Sequence, residues 1–152
     1  MDAPRAPAQQ FALLAGLVLL ALGVLTLVIG GANFGTADQA GGQEFLIMKA
    51  NGWDSVVWIT FGSLGVSMAS ELGAARVYGL VSGAFFVTVA VWGFIDGNDA
   101  FGLMALDTTA NIFHAAIGGL GLVLGSLPKS AHKEGAVGPS ANRSRPREPF
   151  SF

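Results

Sequence analysis

The sequence predicts an all-α integral membrane protein: four transmembrane helices at about 11–31, 53–70, 77–95 and 108–128, packed as an antiparallel bundle with both termini cytoplasmic. Three observations predict it. Of 152 residues, 52% are hydrophobic and only 12% are charged, about half the ~25% charge of a soluble domain. The mean hydropathy is +0.58. The apolar residues gather in four uncharged stretches, and the Lys and Arg residues fall almost wholly on alternate connections between them. This composition excludes a disordered chain and a nucleic-acid binder with a global basic field. With no cysteine there are no disulfides, thiolate metal sites, iron–sulfur clusters or covalently attached haem.

A helix rises ~1.5 Å per residue, so about 20 apolar residues cross a ~30 Å hydrocarbon layer. Phe11–Gly31 offers 21 uncharged residues, Val77–Ile95 offers 19 and Thr108–Pro128 offers 21. The first is read as an uncleaved helix. Arg5 before it and Gly31-Ala32 after it imitate a signal peptide, but its apolar run exceeds the ~7–15 residues of a signal h-region. Ser55–Ser70, with 16 residues, is short. It is read as a span because Trp53 can lie among headgroups while Asp54 and Glu71 reach out to water. Its alternative is a core helix or re-entrant hairpin, which leaves three spans and opposed termini.

Orientation follows from the cations. With four helices, Arg5, Arg76, Lys129, Lys133, Arg143, Arg145 and Arg147 share one side and only Lys49 lies on the other, so both ends are expected in the cytoplasm. The outer connections, Ala32–Asp54 and Asp96–Asp107, carry six acidic residues against that one lysine. Glu71–Arg76 is too short to cross anything and predicts a tight antiparallel hairpin of helices two and three, with Gly73 in its turn. Phe45-Leu46-Ile47-Met48 is read as an apolar segment lying against the bundle top or in the interface. Asp96–Met104 carries turn chemistry followed by a small apolar patch. No repeat with a period of 20–50 residues is evident, which leaves pseudo-repeat packing of two hairpins open.

Three regions result: residues 1–10 as an N-terminal cytoplasmic segment, 11–128 as the transmembrane domain and 129–152 as a basic tail. The tail holds five basic and two acidic side chains among Pro, Ser and Gly and cannot bury enough apolar surface to fold alone. Arg143, Arg145, Arg147, Phe150 and Phe152 are its candidate partner-binding residues, with Phe150 and Phe152 as anchors. The plainer alternative puts those arginines on anionic lipid.

Small residues mark helix contact faces in lipid. Gly79-x-x-x-Gly83 in the third helix, and Gly118, Gly121 and Gly125 in the fourth, are the candidate packing positions. Helix two offers Gly62, Ser63, Gly65, Ser67 and Ala69. Asp107, Asn111 and His114 are spaced to share one face of the fourth helix. A histidine within a span needs a partner, because bare polar nitrogens in hydrocarbon cost a few kcal/mol. The expected partners are Thr60, Ser63, Ser67 or Ser82, in an interhelical bond worth ~0.6–2 kcal/mol.

Two sharper alternatives stay open. In one, His114 is an axial ligand to a haem or chlorophyll, with Ala110 and Asn111 in the cofactor site. Small neighbours Ala115, Gly118 and Gly119 and the aromatics Trp58, Phe85, Phe86 and Trp92 would accommodate the ring. A second histidine ligand from this chain is excluded, since His132 lies in the tail. In the other, Asp107, Asn111 and His114 join Asp54 in an ion or proton route, although Thr26 is the only polar side chain in the first helix. No nucleophile–base pair, phosphate loop or clustered ligand motif is present, so no catalysis and no catalytic or metal-binding residue are expected.

The run Phe11-Ala-Leu-Leu-Ala-Gly16, the start Ala75-Arg-Val-Tyr-Gly79 of the third helix, and Phe101-Gly-Leu-Met-Ala-Leu106 followed by Asp107 and Asn111-Ile-Phe-His114-Ala-Ala-Ile-Gly118 resemble a family of small four-helix bacterial membrane proteins known only as a domain of unknown function. The resemblance covers about residues 11–127. It implies the architecture and a bacterial cytoplasmic membrane, but no activity. Such proteins typically carry an Asn-x-x-His-type motif in helix two as well as in helix four. Here Gly52–Gly62 holds no histidine, which implies a specialised member. The expected role is a non-catalytic accessory or structural subunit of a larger membrane complex, respiratory or photosynthetic. Its partners would be the lipid bilayer and other membrane-protein subunits, with no nucleic acid.

Overall fold

The computed structural model describes residues 5–35, 43–96 and 99–128. Arg143, Arg145, Arg147, Phe150 and Phe152 lie outside the described residues. The order of elements is α1 (Pro7–Ile29), β1 (Gln43–Phe45), β2 (Met48–Ala50), α2 (Gly52–Met68), α3 (Leu72–Asp96), β3 (Asp99–Ala100), β4 (Met104–Ala105) and α4 (Thr108–Ser126). The described residues are mostly helical and form four helices. Of these, α1, α3 and α4 are long and apolar enough to cross a membrane, so length and composition make it a multi-pass membrane protein. α2 has 17 residues and rises about 25 Å, short of a ~30 Å layer.

The structure departs from expectation at the connections. The third helix starts at Leu72, five residues before the expected Val77. Gly73 and Arg76 are therefore helical, and the α2–α3 connection is only 69–71. The charge of Arg76 does not end the helix because its guanidinium turns back to donate from Nε to the Gly125 carbonyl at 3.0 Å. The packing is heaviest within the pairs α1/α2 and α3/α4, whereas α2 and α3 touch thinly despite their short link. The α1–α2 and α3–α4 connections each contain a short β-hairpin, which the sequence reading did not include. Phe45 pairs with Met48 across Leu46-Ile47, and Ala100 pairs with Met104 across Phe101-Gly102-Leu103. Phe45 and Met48 point into the core while Leu46 and Ile47 form an exposed tip.

These elements repeat. Each half of the chain reads helix, β-hairpin, helix, and the burial pattern repeats with it. Ala8, Phe11, Ala12, Ala15, Gly16, Leu19, Gly23 and Thr26 are buried in α1. Ala75, Tyr78, Gly79, Ser82, Gly83, Phe86, Ala90 and Gly93, one constant offset later, are buried in α3. Asp54, Ser55, Trp58, Gly62 and Gly65 in α2 correspond likewise to Ala110, Asn111, His114, Gly118 and Gly121 in α4.

Contacts repeat as well. A Cβ on Gly65 would meet the Ala12 carbonyl, Gly16 Cα and the Tyr78 ring. One on Gly121 would meet the counterparts of all three: the Gly79 carbonyl, Gly83 Cα and the Phe11 ring. Gln9 Nε2 donates to the Ala69 carbonyl at 3.2 Å, and its counterpart Arg76 donates to Gly125, the counterpart of Ala69. The hairpin turns align on Leu46 (φ 57°) and Phe101 (φ 60°), the second turn being one residue longer. The bundle is therefore two copies of one unit, related by a pseudo-two-fold relation, with a repeat longer than the 20–50-residue window in which none was evident.

Two pairs of counterpart residues touch each other directly: Phe11 with Tyr78, ring centroids 6.2 Å apart, and Trp58 with His114. Residues related by a two-fold can meet only at its axis, so these pairs mark the centre of the molecule. The close approach of α3 to α4 depends on glycine. Gly79 and Gly83 of α3 face Gly118, Gly121 and Gly125 of α4, where added methyls would sit 2.7–2.9 Å from the nearest main-chain atom.

Candidate functional site

The central constellation is built from the start of α2 and α4. Both helices begin at an Asx cap. Asn51 Oδ1 accepts from the amides of Trp53 at 2.9 Å and Asp54 at 3.1 Å, and Asp54 Oδ2 returns a bond from the Asn51 amide at 2.9 Å, closing a capping box. Asp107 Oδ1 accepts from the Ala110 amide at 2.7 Å. The caps also tie the halves together. Asn51 Nδ2 donates to the Leu103 carbonyl in the second hairpin at 2.7 Å, and Asp107 Oδ2 accepts from the Lys49 amide in the first at 3.0 Å.

Two expectations change here. Asp54 does not reach out to water; it is fully buried, with the Asn51 cap and the Ala105 amide beside its carboxyl. Asp107 does not join Asn111 and His114 as a working face, because both of its oxygens are committed to main-chain amides.

His114 lies about two turns beyond the Asp107 cap of α4, fully buried. Its partner is Trp58, not Thr60, Ser63, Ser67 or Ser82. The indole Nε1 donates to His114 Nε2 at 3.2 Å, and the hydroxyls of Thr60, Ser67 and Ser82 turn back to carbonyls of their own helices. An indole N–H only donates, so Nε2 accepts and the imidazole carries its proton on Nδ1. Phe86 stacks on the imidazole at 5.3 Å and 15°, and the Phe113 ring, tilted by 56°, has its centroid 5.7 Å away. Phe61 and Phe85 extend the aromatic layer, with ring centroids 4.7 Å apart. Trp92 is not part of it; it lies near the rim of the bundle against Phe101 at 5.1 Å.

Asn111 is packed against the bare Cα of Gly93, its Oδ1 directly on that glycine. Its counterpart Ser55 hydrogen-bonds the Asn51 carbonyl at 3.2 Å. Four buried side-chain atoms around this layer have no hydrogen-bond partner: Thr26 Oγ1, Asp54 Oδ1, Asn111 Oδ1 and His114 Nδ1.

The arrangement can fix register and orientation, since a buried donor and acceptor satisfy each other only in one relative position of α2 and α4. A macrocycle does not fit at His114. Nε2 is taken by Trp58, one face is covered by Phe86, and Ala110 and Asn111, the other residues of that proposed site, are buried in the bundle. Among the described residues, no group of three His, Asp or Glu side chains is placed to hold a metal ion.

No curated protein and no solved structure matches the chain. A family model matches residues 9–127, which takes in both repeats, both hairpins and the Trp58–His114 pair, and by this match the chain belongs to the family described as a domain of unknown function, DUF4383.

Proposed function

We propose that the chain is a non-catalytic accessory subunit of a larger membrane assembly, lying in a bacterial cytoplasmic membrane with α2 as a fourth span and both termini inside. The fourth span is supported by the repeat, because α2 packs along α1 and is the counterpart of α4, which is long enough to cross. The orientation is supported by the seven cations on the side of the termini against Lys49 on the other.

The observation that carries the docking role is the pair of hairpin tips. Leu46 and Phe101 hold left-handed backbone conformations that cost an ordinary side chain about 1–2 kcal/mol, and glycine almost nothing. Both are large, apolar and exposed, with Ile47 beside Leu46 at 76% exposure. A strained backbone that presents apolar side chains outward is retained where those side chains make contacts. Together with Leu103 they form an apolar cap over the buried caps of α2 and α4.

The test is the double variant Leu46→Gly, Phe101→Gly. Strain relief offsets the added flexibility of glycine, so its unfolding midpoint in mild detergent is expected within about 1 kcal/mol of wild type. In native gels the wild-type chain is expected to comigrate with a larger complex from its own membrane and the variant to run alone. A wild-type chain that already runs alone, or a variant that stays in the complex, removes the proposal.

A further inference from the structure

The two halves differ in the grooves between their helices. Between α1 and α4 an apolar groove of about 460 Å³ runs along Phe11, Leu14 and Val18 on one side and Phe113, Ala116 and Leu120 on the other. Its counterpart between α2 and α3, lined by Phe61, Leu64, Met68, Tyr78 and Val81, measures about 100 Å³. The difference has a physical origin. The lining side chains differ in size. Phe61 leans over Phe86 at 5.2 Å in the closed groove, and the smaller Ile117 takes its place in the open one.

The open groove has a length and a polar end. From Pro7 to Val18 along α1 it extends about 17 Å, close to half of a ~30 Å hydrocarbon layer and hence the depth of one leaflet. At Pro7 and Leu124 it meets a recess of about 80 Å³ that includes Arg76. The Arg76 Nε is bonded to Gly125, and no carboxylate among the described residues pairs with the rest of the guanidinium. A planar guanidinium matches two phosphate oxygens.

We propose that this groove binds one anionic phospholipid, with an acyl chain along α1 and α4 and the phosphate at Arg76. The site is distinct from the hairpin cap and does not depend on the docking role. Native mass spectrometry of the full-length protein, with phosphatidylglycerol or phosphatidylcholine of matched chains added, tests it. One phosphatidylglycerol is expected to remain bound, about fivefold more strongly than phosphatidylcholine, from one basic contact. Arg76→Gln is expected to erase that preference. Ala116→Phe, a substitution at an exposed groove residue, is expected to abolish the adduct, while Thr60→Phe at the counterpart position on α2 leaves it. Equal binding of the two lipids, or an adduct that survives Ala116→Phe, overturns the proposal. So does an intact assembly in which a protein helix fills the groove and no lipid is retained. Ala116→Phe leaves the hairpin tips untouched, so failure here and failure of the docking role are read separately.

Discussion

Trp58→Ala is expected to destabilise the bundle by about 3–5 kcal/mol, read as the shift of its unfolding transition in detergent, because it empties the space of a fully buried indole at the pseudo-two-fold centre. Trp58→Phe separates the hydrogen bond from the packing. It keeps a ring but leaves His114 Nε2 as a buried acceptor without a donor, a loss of about 1–3 kcal/mol. Adding His114→Leu to Trp58→Phe is expected to recover part of that loss, since removing both partners of a buried bond costs less than stranding one. A Trp58→Phe variant as stable as wild type, with no coupling to His114→Leu, means that the two rings are only packed together.

The second large effect separates two adjacent glycines. A methyl on Gly118 would stand 2.7 Å from the Val87 amide nitrogen and 2.9 Å from the Gly83 carbonyl, whereas one on Gly119 meets nothing within 4 Å. Gly118→Ala therefore forces α3 and α4 apart and is expected to cost about 1–3 kcal/mol or more. Gly119→Ala removes only a poor helix former and is expected to be neutral or to stabilise by up to ~1 kcal/mol. The two variants have the same composition and hydropathy, so a difference between their unfolding midpoints reports helix approach alone. Equal midpoints mean that α3 and α4 do not meet through their glycines.

Much of this architecture is legible in the chain, and what escapes has identifiable causes. The long helices announce themselves because 19–21 uncharged residues have few other uses. The start of α3 is misplaced because Glu71 and Arg76 read as a solvent loop, although a snorkelling arginine can cap a neighbouring helix from within its own. The hairpins stay hidden because their turns lack the usual Asn-Gly chemistry; Leu46 takes a conformation that favours glycine. The burial of Asp54 has a signal in the sequence: Asn51-x-x-Asp54 is a capping box, which turns the carboxylate back to the main chain.

The partner of His114 is the feature least visible in the sequence. It lies at the matching position of the other half, and the repeat is masked there because tryptophan stands opposite histidine. Gly62-x-Leu64-Gly65 against Gly118-x-Leu120-Gly121, with Met48 against Met104, is the trace from which the repeat could have been found.

The proposed topology requires the chain to cross the bilayer four times, with both hairpins on one side and both termini on the other. The protein contains no cysteine, so single cysteines introduced at Ile47 and Leu103 in the hairpin tips, and at Arg5 and Ser70 at the opposite end, give a clean reading with a membrane-impermeant thiol reagent on oriented vesicles. Ile47→Cys and Leu103→Cys are expected to label from the outside only, and Arg5→Cys and Ser70→Cys only after the vesicles are opened. Labelling of Ile47→Cys and Leu103→Cys from opposite sides would contradict the four-span bundle, and with it the paired halves and the apolar cap.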